Sequence, residues 1–212
     1  MTVSYQKKSM SYQELIHLVI QDSRNSSFLM AEEGKGQILN RFVVQYEETD
    51  WNFLKWVASF MGLPLVASHT SAGAKFSVGV MWKNKDHVIT EEEEWQMEVV
   101  QGSSFLESEG GEKEQGYQIQ LKWYRDNPEA EPLEIGDSVI YQGARYYVKA
   151  ARVDIADHKV KQECLLSGKR GFSVKEKQNT ALTGLSLGGC VKEVRNNELQ
   201  IRGCKKSCVF GK

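Results

Sequence analysis

The stretch that decides the fold is RFVVQYEETDWNFLKWVASFMG (Arg41–Gly62), which is followed by Leu-Pro-Leu. Its first six residues are rich in β-branched and aromatic side chains, a composition that favours a β-strand. Thr49 and Asp50 can cap a helix that runs to Met61, and a glycine followed by a proline ends it. The stretch therefore predicts a strand, a short turn and a helix.

The predicted helix is apolar on nearly all sides, and such a helix is buried on two sides. One side packs on the rest of its own domain. In a domain this small a second subunit can supply the other side, and packing within the chain's own core is the alternative. The hypothesis of an oligomer interface rests on five apolar residues of this helix: Trp51, Phe53, Leu54, Trp56 and Phe60.

Further elements on both sides of this stretch complete a small α/β unit over residues 1–81. Apolar residues recur at helical spacing after Ser11 and predict a short amphipathic helix over 11–21. Strands are predicted at 27–31, 63–67 and 75–81, where apolar runs are short or alternate with polar residues.

From residue 82 onward, apolar and polar residues alternate in several short runs. Tight turns separate these runs, and one of them is Gln142-Gly143. Several short strands without a helix predict a small antiparallel β-barrel over residues 82–167. Residues 168–184 are polar without a period and are interpreted as a linker, and residues 185–212 contain a further predicted hairpin. The predicted fold class is α+β, rich in β-strands.

The composition of the 212-residue chain gives little support to nucleic-acid or membrane binding. It carries 27 basic and 28 acidic side chains, so its formal net charge is −1 and a general attraction to polyanions is absent. Apolar residues make up 41 % and charged residues 26 %, as in ordinary globular proteins. No run reaches the ~18 apolar residues of a membrane span, and the N-terminus lacks the apolar core of a signal peptide. We therefore expect synthesis in the cytoplasm without general secretion.

Motifs for catalysis or metal binding are not found. The four histidines (His17, His69, His87 and His158) are scattered, and no HExxH, GxSxG or phosphate-loop spacing occurs. The acidic run Glu91–Glu94 is typical of a solvated strand end. Zinc sites prefer two CxxC-like pairs, whereas the cysteines provide one CxxxC: Cys164, Cys190, Cys204 and Cys208. We predict no catalytic residue, no cofactor and no metal.

The stretch Arg41–Gly62 resembles the baseplate-hub segment of contractile phage tails (late control protein D) and of the valine-glycine repeat spike proteins of type VI secretion. Those proteins carry a strand that ends in tyrosine, an acidic-Thr/Ser-Asp cap, an aromatic residue, and then Phe-Leu and a basic residue in a helix closed by glycine. Residues Met10–Ile16 are similar to the helix that precedes this segment. The matching positions are Tyr46, Glu48, Thr49, Asp50, Trp51, Phe53, Leu54, Lys55 and Gly62.

The resemblance implies a mechanical part without enzymatic activity. Hub proteins of this family form a threefold ring of barrels that joins the sixfold tail tube to the threefold spike. This implies a homotrimer, tail-tube and spike proteins as partners, and a place in a virion baseplate or injection apparatus. It also implies that residues 185–212 begin an OB-like spike barrel. The family's first barrel and the remainder of the spike barrel are missing from the sequence, which implies a fragment or one half of a split hub.

Two other functions stay open at this stage. One is a tail-associated cell-wall hydrolase, which would need converging acids or a thiol or histidine site. The other is a glycan-binding barrel that stacks sugars on exposed aromatic residues such as Trp82, Trp95 or Trp123. A phage tail, a tail-like bacteriocin and a secretion system are equally compatible with the sequence.

Overall fold

The structure is a computed structural model of the chain. It describes residues 2–5, 7, 9–68, 72–83, 86–89, 94–101, 117–125, 131–156, 159–184, 186, 189–195 and 198–203. Two helices and thirteen strands are assigned in this part of the chain. In chain order they are β1 (Thr2–Tyr5), α1 (Tyr12–Ile20), β2 (Ser27–Met30), β3 (Val43–Tyr46), α2 (Asp50–Ser59), β4 (Leu65–Ala67), β5 (Lys75–Val78), β6 (Asp86–Val88), β7 (Glu94–Gln101), β8 (Tyr117–Arg125), β9 (Ser138–Tyr141), β10 (Ala144–Ala156), β11 (Lys159–Ser167), β12 (Gly189–Arg195) and β13 (Glu198–Gly203).

The chain divides into two compact units, and the first of them is discontinuous. Unit 1 comprises Met1–Gly79 and Val174–Lys212, and unit 2 comprises Val80–Ser173. The second unit is therefore inserted into the first. Residues 168–184, which the sequence predicts as a linker, are divided between the units: Lys169–Phe172 forms a 3₁₀ turn in unit 2, and a second such turn, Thr180–Leu182, belongs to unit 1.

Unit 1 packs α1 and α2 on a three-stranded sheet with the order β2-β5-β4. The β2–β5 pair is parallel and the β4–β5 pair is antiparallel. A separate ribbon pairs β1 with β3, and the hairpin β12–β13 belongs to the same unit, where β13 lies against β1. An isolated hairpin is marginal in water, so this contact gives β12–β13 the support that it needs.

Local sequence signals account for the start of helix α1. The Ser11 hydroxyl accepts a hydrogen bond from the Glu14 N–H at 3.1 Å, and the Glu14 carboxylate accepts one from the Ser11 N–H at 2.8 Å. This reciprocal pair is a capping box, which satisfies two N–H groups at the helix terminus. The helix that the sequence predicts over 11–21 is confirmed as Tyr12–Ile20.

Helix α2 also begins and ends as the sequence predicts. The Thr49 side chain accepts a hydrogen bond from the Asn52 N–H at 3.3 Å. At the other end Gly62 adopts a positive φ of 70°, which a glycine tolerates without strain. The N–H groups of Gly62 and Leu63 donate to the carbonyls of Ser59 and Ala58, at 2.9 and 3.1 Å. This pattern is a Schellman motif, which closes the helix.

Unit 2 is built on one six-stranded sheet with the order β6-β9-β10-β11-β8-β7. The Gln142-Gly143 turn between β9 and β10 is confirmed, with φ values of 49° and 77°, as a two-residue hairpin of type I′ requires. One face of the sheet carries the aliphatic core, which also includes a buried cysteine: Ile119, Leu121, Leu133, Val139, Val148, Cys164 and Leu166.

The predicted fold class, α+β and rich in β-strands, is confirmed, but the prediction of a closed antiparallel barrel over 82–167 needs correction. The described strands form an open sheet that has β6 and β7 at its edges. Strand β6 has only three residues and pairs in parallel with β9, so the sheet is mixed. Closure would require pairing between the two edge strands, and none is found among the described residues.

Candidate assembly surface around helix α2

The five residues of the interface hypothesis occupy different environments in unit 1. Phe53 and Leu54 are buried in the core, and Trp56 is only 8 % exposed. The Phe53 ring meets the Trp56 ring edge-on at 4.6 Å between centroids and lies 5.6 Å from the Tyr5 ring. Phe60 is half-buried, whereas Trp51 keeps 38 % of its surface exposed. A partner that contacts this helix would therefore meet mainly Trp51.

A distant segment of the chain lies along the C-terminal half of α2. Residues Val174–Asn179, which we call the strap, run along the C-terminal half of the helix. The Val174 N–H donates to the Gly62 carbonyl at 3.0 Å. The Lys177 N–H donates to the Ser59 hydroxyl at 2.8 Å, and that hydroxyl donates to the Trp56 carbonyl at 2.7 Å. The strap is thus fastened to the C-terminal end of α2 by hydrogen bonds within one subunit.

A polar node at Glu48 holds the far end of the strap. One oxygen of its carboxylate accepts a hydrogen bond from the Trp56 indole N–H at 2.8 Å. The other accepts from the Asn179 amide at 3.1 Å, and the same amide donates to the Tyr46 carbonyl at 3.0 Å. Glu47 adopts φ 47°, a left-handed conformation that is uncommon outside glycine, where the chain turns from β3 towards α2. The turn, the helix and the strap therefore share one acceptor.

Arg41 adds a third fastening between the strap and the helix. Its guanidinium lies 4.2 Å from the centre of the Phe60 ring, within the range of a cation–π contact. The same group pairs with Glu176 of the strap at 3.0 Å. Both partners of this ion pair are largely exposed, so the pair itself adds little stability.

Trp51 belongs to a row of aromatic rings, which we define as Trp51, Phe76, Phe28 and His17. Successive ring centroids in this row are 5.6, 5.7 and 4.8 Å apart. Phe76 is buried, Phe28 is half-buried, and the two end members are exposed. The inner rings are held rigidly by packing, and the two end rings are accessible. Rigid, accessible aromatic side chains are common in protein–protein interfaces.

Polar groups near the start of α2 keep this region charged and hydrogen-bonded. Gln45 is buried, and its amide donates to the Asp50 carboxylate at 2.7 Å. A carboxylate in the first turn also suits the positive end of the helix dipole. Burial raises the pKa of the Tyr5 hydroxyl, and the negative charge of Asp50 raises it further. Tyr5 therefore stays neutral at physiological pH.

Two cavities are found in the described part of the chain, and the first shares His17 and Phe28 with the aromatic row. An open groove of about 670 Å³ in unit 1 runs beside α1 and is lined by residues that include Lys7, Glu14, His17 and Phe28. A smaller, more polar cavity of about 380 Å³ in unit 2 is lined by residues that include Lys83, His87 and Asp137. Within the described ranges, no group of three or more potential ligands is arranged to hold a metal ion.

The remaining candidates from the sequence fall partly outside the described residues. Cys164 is buried in the core of unit 2, whereas Cys204, Cys208, His69, His158 and residues 91–93 of the acidic run lie outside. Trp82 packs between Tyr147 and Phe172 at 4.8 and 5.1 Å and is half-buried. The backbone register places Trp95 opposite Trp123. Neither described helix has the length or the apolar run that a membrane crossing needs.

Sequence reasoning missed the strap and the role of Glu48. The strap sequence, Val-Lys-Glu-Lys-Gln-Asn, is polar and has no periodicity, so nothing local predicts what it binds. Its partners lie more than 100 residues away along the chain. A signal was nonetheless present, because an apolar helix surface larger than one contact face requires a second cover.

The chain shares its fold with a tail protein. Its structure is similar to the crystal structure of the tail protein from Neisseria meningitidis MC58, with a TM-score of 0.53 and 12 % sequence identity. The similarity covers 81 % of this chain and 70 % of that chain. No protein-family model and no curated protein sequence matches the chain. At this identity the similarity establishes the fold alone.

Proposed function

We propose that this chain is a structural baseplate hub or spike component of a contractile phage tail or a related injection apparatus. In this proposal, copies of the chain form a threefold ring that joins the tail tube to the spike. The chain is synthesised in the bacterial cytoplasm and functions in the assembled particle. It makes mechanical contacts and catalyses no reaction.

The observation that carries the proposal is the fold shared with a tail protein over 81 % of the chain. The resemblance of Arg41–Gly62 to the hub segment supports it independently, because it rests on sequence. The segment forms the predicted strand, cap and helix, with Phe53 and Leu54 in the core. The packing of Phe53 and Leu54 in the core accounts for the apolar pattern of the segment. The fold shared with the tail protein accounts for the order of strands and helices along the chain.

The burial of most of α2 supports a smaller ring contact than the whole helix. Because the core and the strap cover most of α2, we assign the helix's contribution to Trp51 and its aromatic row. Large, rigid, partly exposed aromatic side chains are enriched among residues that dominate binding energy. Phe53, Leu54 and Trp56 then support the interface from beneath.

Mass measurement at high micromolar concentration tests the ring. Sedimentation equilibrium is expected to give three times the mass of one chain. A strictly monomeric chain would contradict the homotrimer. Electron micrographs of particles labelled on this chain should place the label at the baseplate, and a label along the tube or on the capsid would contradict the proposed location.

The substitution Trp51→Ala tests the assigned contact. We expect it to weaken association by about 2 kcal/mol or more per interface, as for other central aromatic contacts. Asn52→Ala is the matched control, since Asn52 is the adjacent exposed side chain on the same helix and should leave association unchanged. If the trimer of the Trp51 variant is as tight as that of the control, the ring does not use this surface.

The absence of catalysis is tested with a zymogram on bacterial cell walls. No clearing is expected from the purified chain. Clearing that persists after a second chromatographic step would favour the cell-wall hydrolase alternative. Quenching of tryptophan fluorescence by cell-wall glycans would instead favour the glycan-binding alternative, with Trp82 as the first residue to substitute.

A further inference from the structure

The strap lies at the surface of unit 1. Four of its six residues, 175–178, are exposed, and Val174 and Asn179 are half-buried. The buried side chains of the unit 1 core all come from Tyr12–Val78, so no strap residue is part of that core. The apolar packing that stabilises the unit is therefore complete without the strap.

Polar contacts that water can replace fasten the strap. They include two backbone N–H groups that donate to Gly62 and Ser59, the Asn179 amide, and the exposed Arg41–Glu176 pair. When the strap leaves, the Ser59 hydroxyl keeps its hydrogen bond to the Trp56 carbonyl. A hydrogen bond that is exchanged for water contributes little net free energy. Opening therefore costs far less than unfolding the core.

We propose that the strap is a latch that opens and closes as one unit over helix α2 while the core of unit 1 stays folded. The closed latch is hydrogen-bonded to the C-terminal end of α2, and the open latch frees the Gly62 carbonyl and the Glu48 carboxylate. The latch thereby controls access to this end of the helix. Segments with few buried apolar contacts are the ones that open locally in native proteins.

The end of the first segment of unit 1, at Gly79, and the start of its second segment, at Val174, are both hydrogen-bonded close to the C-terminal end of α2. The Gly79 N–H, where the first segment ends, donates to the Pro64 carbonyl at 2.8 Å. The Val174 N–H, where the second segment begins, donates to the Gly62 carbonyl at 3.0 Å. The residues Gly62–Pro64, which follow α2, therefore bind the ends of both segments of unit 1. When the latch opens, the Gly79–Pro64 hydrogen bond remains and the Val174–Gly62 hydrogen bond is broken.

Native-state hydrogen exchange of the full chain tests the latch. The amides of Val174 and Lys177 report on the strap, and the amide of Phe53, which donates to the Thr49 carbonyl at 3.0 Å, reports on the core. We expect the two strap amides to exchange with one common opening free energy that lies below that of Phe53. Exchange of the strap amides only through global unfolding, at the free energy of Phe53, would overturn the inference.

The substitution Asn179→Ala sharpens the test. It removes the amide that reaches Glu48 and Tyr46, so exchange at both Val174 and Lys177 should accelerate by about tenfold, with Phe53 unchanged. Gln178→Ala is the control, since that side chain is exposed and contacts Glu176 at 3.4 Å. Acceleration at Lys177 alone would show that the strap does not move as a unit, and equal acceleration at Phe53 would show that it belongs to the core.

The latch does not depend on the proposed tail function. Its test measures motion within a single chain and gives the same result whether the protein is a monomer or a trimer. A failed assembly experiment therefore leaves the latch standing, and a failed exchange experiment leaves the assembly proposal standing.

Discussion

Units 1 and 2 bury their hydrophobic cores with different secondary structure and different side chains. Unit 1 places two helices on a small sheet, fills the space with aromatic and aliphatic side chains, and uses polar contacts at its margin, as at Glu48. Unit 2 relies on one large sheet with an aliphatic core, and it places a polar side chain, Gln162, inside that core. The difference shows that the two units use buried polar groups for different ends: Ser59 of unit 1 binds a segment at the margin, whereas Gln162 of unit 2 binds a residue that is part of the core.

Gln162 explains how a loop is held against the sheet of unit 2. Its side chain is 3 % exposed. Its amide donates to the Leu133 carbonyl at 2.7 Å, and its side-chain oxygen accepts from the Leu133 N–H at 3.0 Å. The glutamine therefore satisfies both backbone groups of one residue, as a neighbouring strand would. This pairing allows Leu133 to enter the core although its segment is not part of the sheet.

The largest expected effect is on the aromatic core of unit 1. Phe53→Ala should lower the free energy of unfolding by about 3–5 kcal/mol, because the ring is fully buried and the substitution leaves a cavity. Urea unfolding measures the change. Phe42→Ala is the control, since Phe42 is 60 % exposed and should cost far less. Equal losses for both variants would contradict the view that unit 1 depends on the packing around Phe53.

A smaller effect is expected from the buried glutamine of unit 2. Gln162→Leu conserves volume but leaves the Leu133 N–H and carbonyl buried without their partner, so it should cost about 2–3 kcal/mol. The same urea titration applies, with Gln120→Leu on the other face of the sheet as the control. A neutral or stabilising result at Gln162 would mean that water replaces the side chain, and the contrast between the units would disappear.

The smallest effect is expected at the margin of unit 1 and depends on pH. The Ser11 backbone N–H, and then its hydroxyl, lower the pKa of the Glu14 carboxyl. The folded-state value thus lies below the unfolded one, so this contribution to stability is present above the ordinary glutamate pKa and is lost as the pH falls through the lowered value.

Thermal melting of the wild type and of Glu14→Gln measures this contribution. The difference in Tm between them should be largest near neutral pH and should shrink as the pH falls through the acidic range. Glu33→Gln, an exposed acid in a nearby turn, controls for the loss of one negative charge. A Tm difference that stays constant down to low pH would show that the carboxylate does not act through its charge.

Local signals made much of unit 1 predictable. The limits of α1 and α2 follow from Ser11, Thr49 and Gly62, because capping depends on residues that are adjacent in sequence. Strand β1 was missed, since four residues without clear alternation carry no periodic signal. Its position is set by pairing with β3, some forty residues further along the chain.

In unit 2 and at the candidate surface, the structure depends on contacts between residues that are far apart in the sequence, and such contacts could not be predicted from local patterns. Alternation predicted several short strands, although not β6, and it contains no information on which strands become edges, so a barrel was predicted where the described strands form an open sheet. In the same way, the apolar pattern of α2 indicated two covered sides without specifying what covers them. The strap beside the helix is polar, and its position follows from the tertiary contacts of Ser59 and Glu48.

The discontinuity of unit 1 has a consequence for how the protein is made. A ribosome delivers Met1–Gly79 first and must then synthesise all of Val80–Ser173 before the remainder of unit 1 emerges. At ordinary rates of translation this interval lasts roughly 5 to 20 s. During that time Ser59 and Glu48 lack the strap residues that they bind. The inserted unit is also the first to have its whole sequence available for folding.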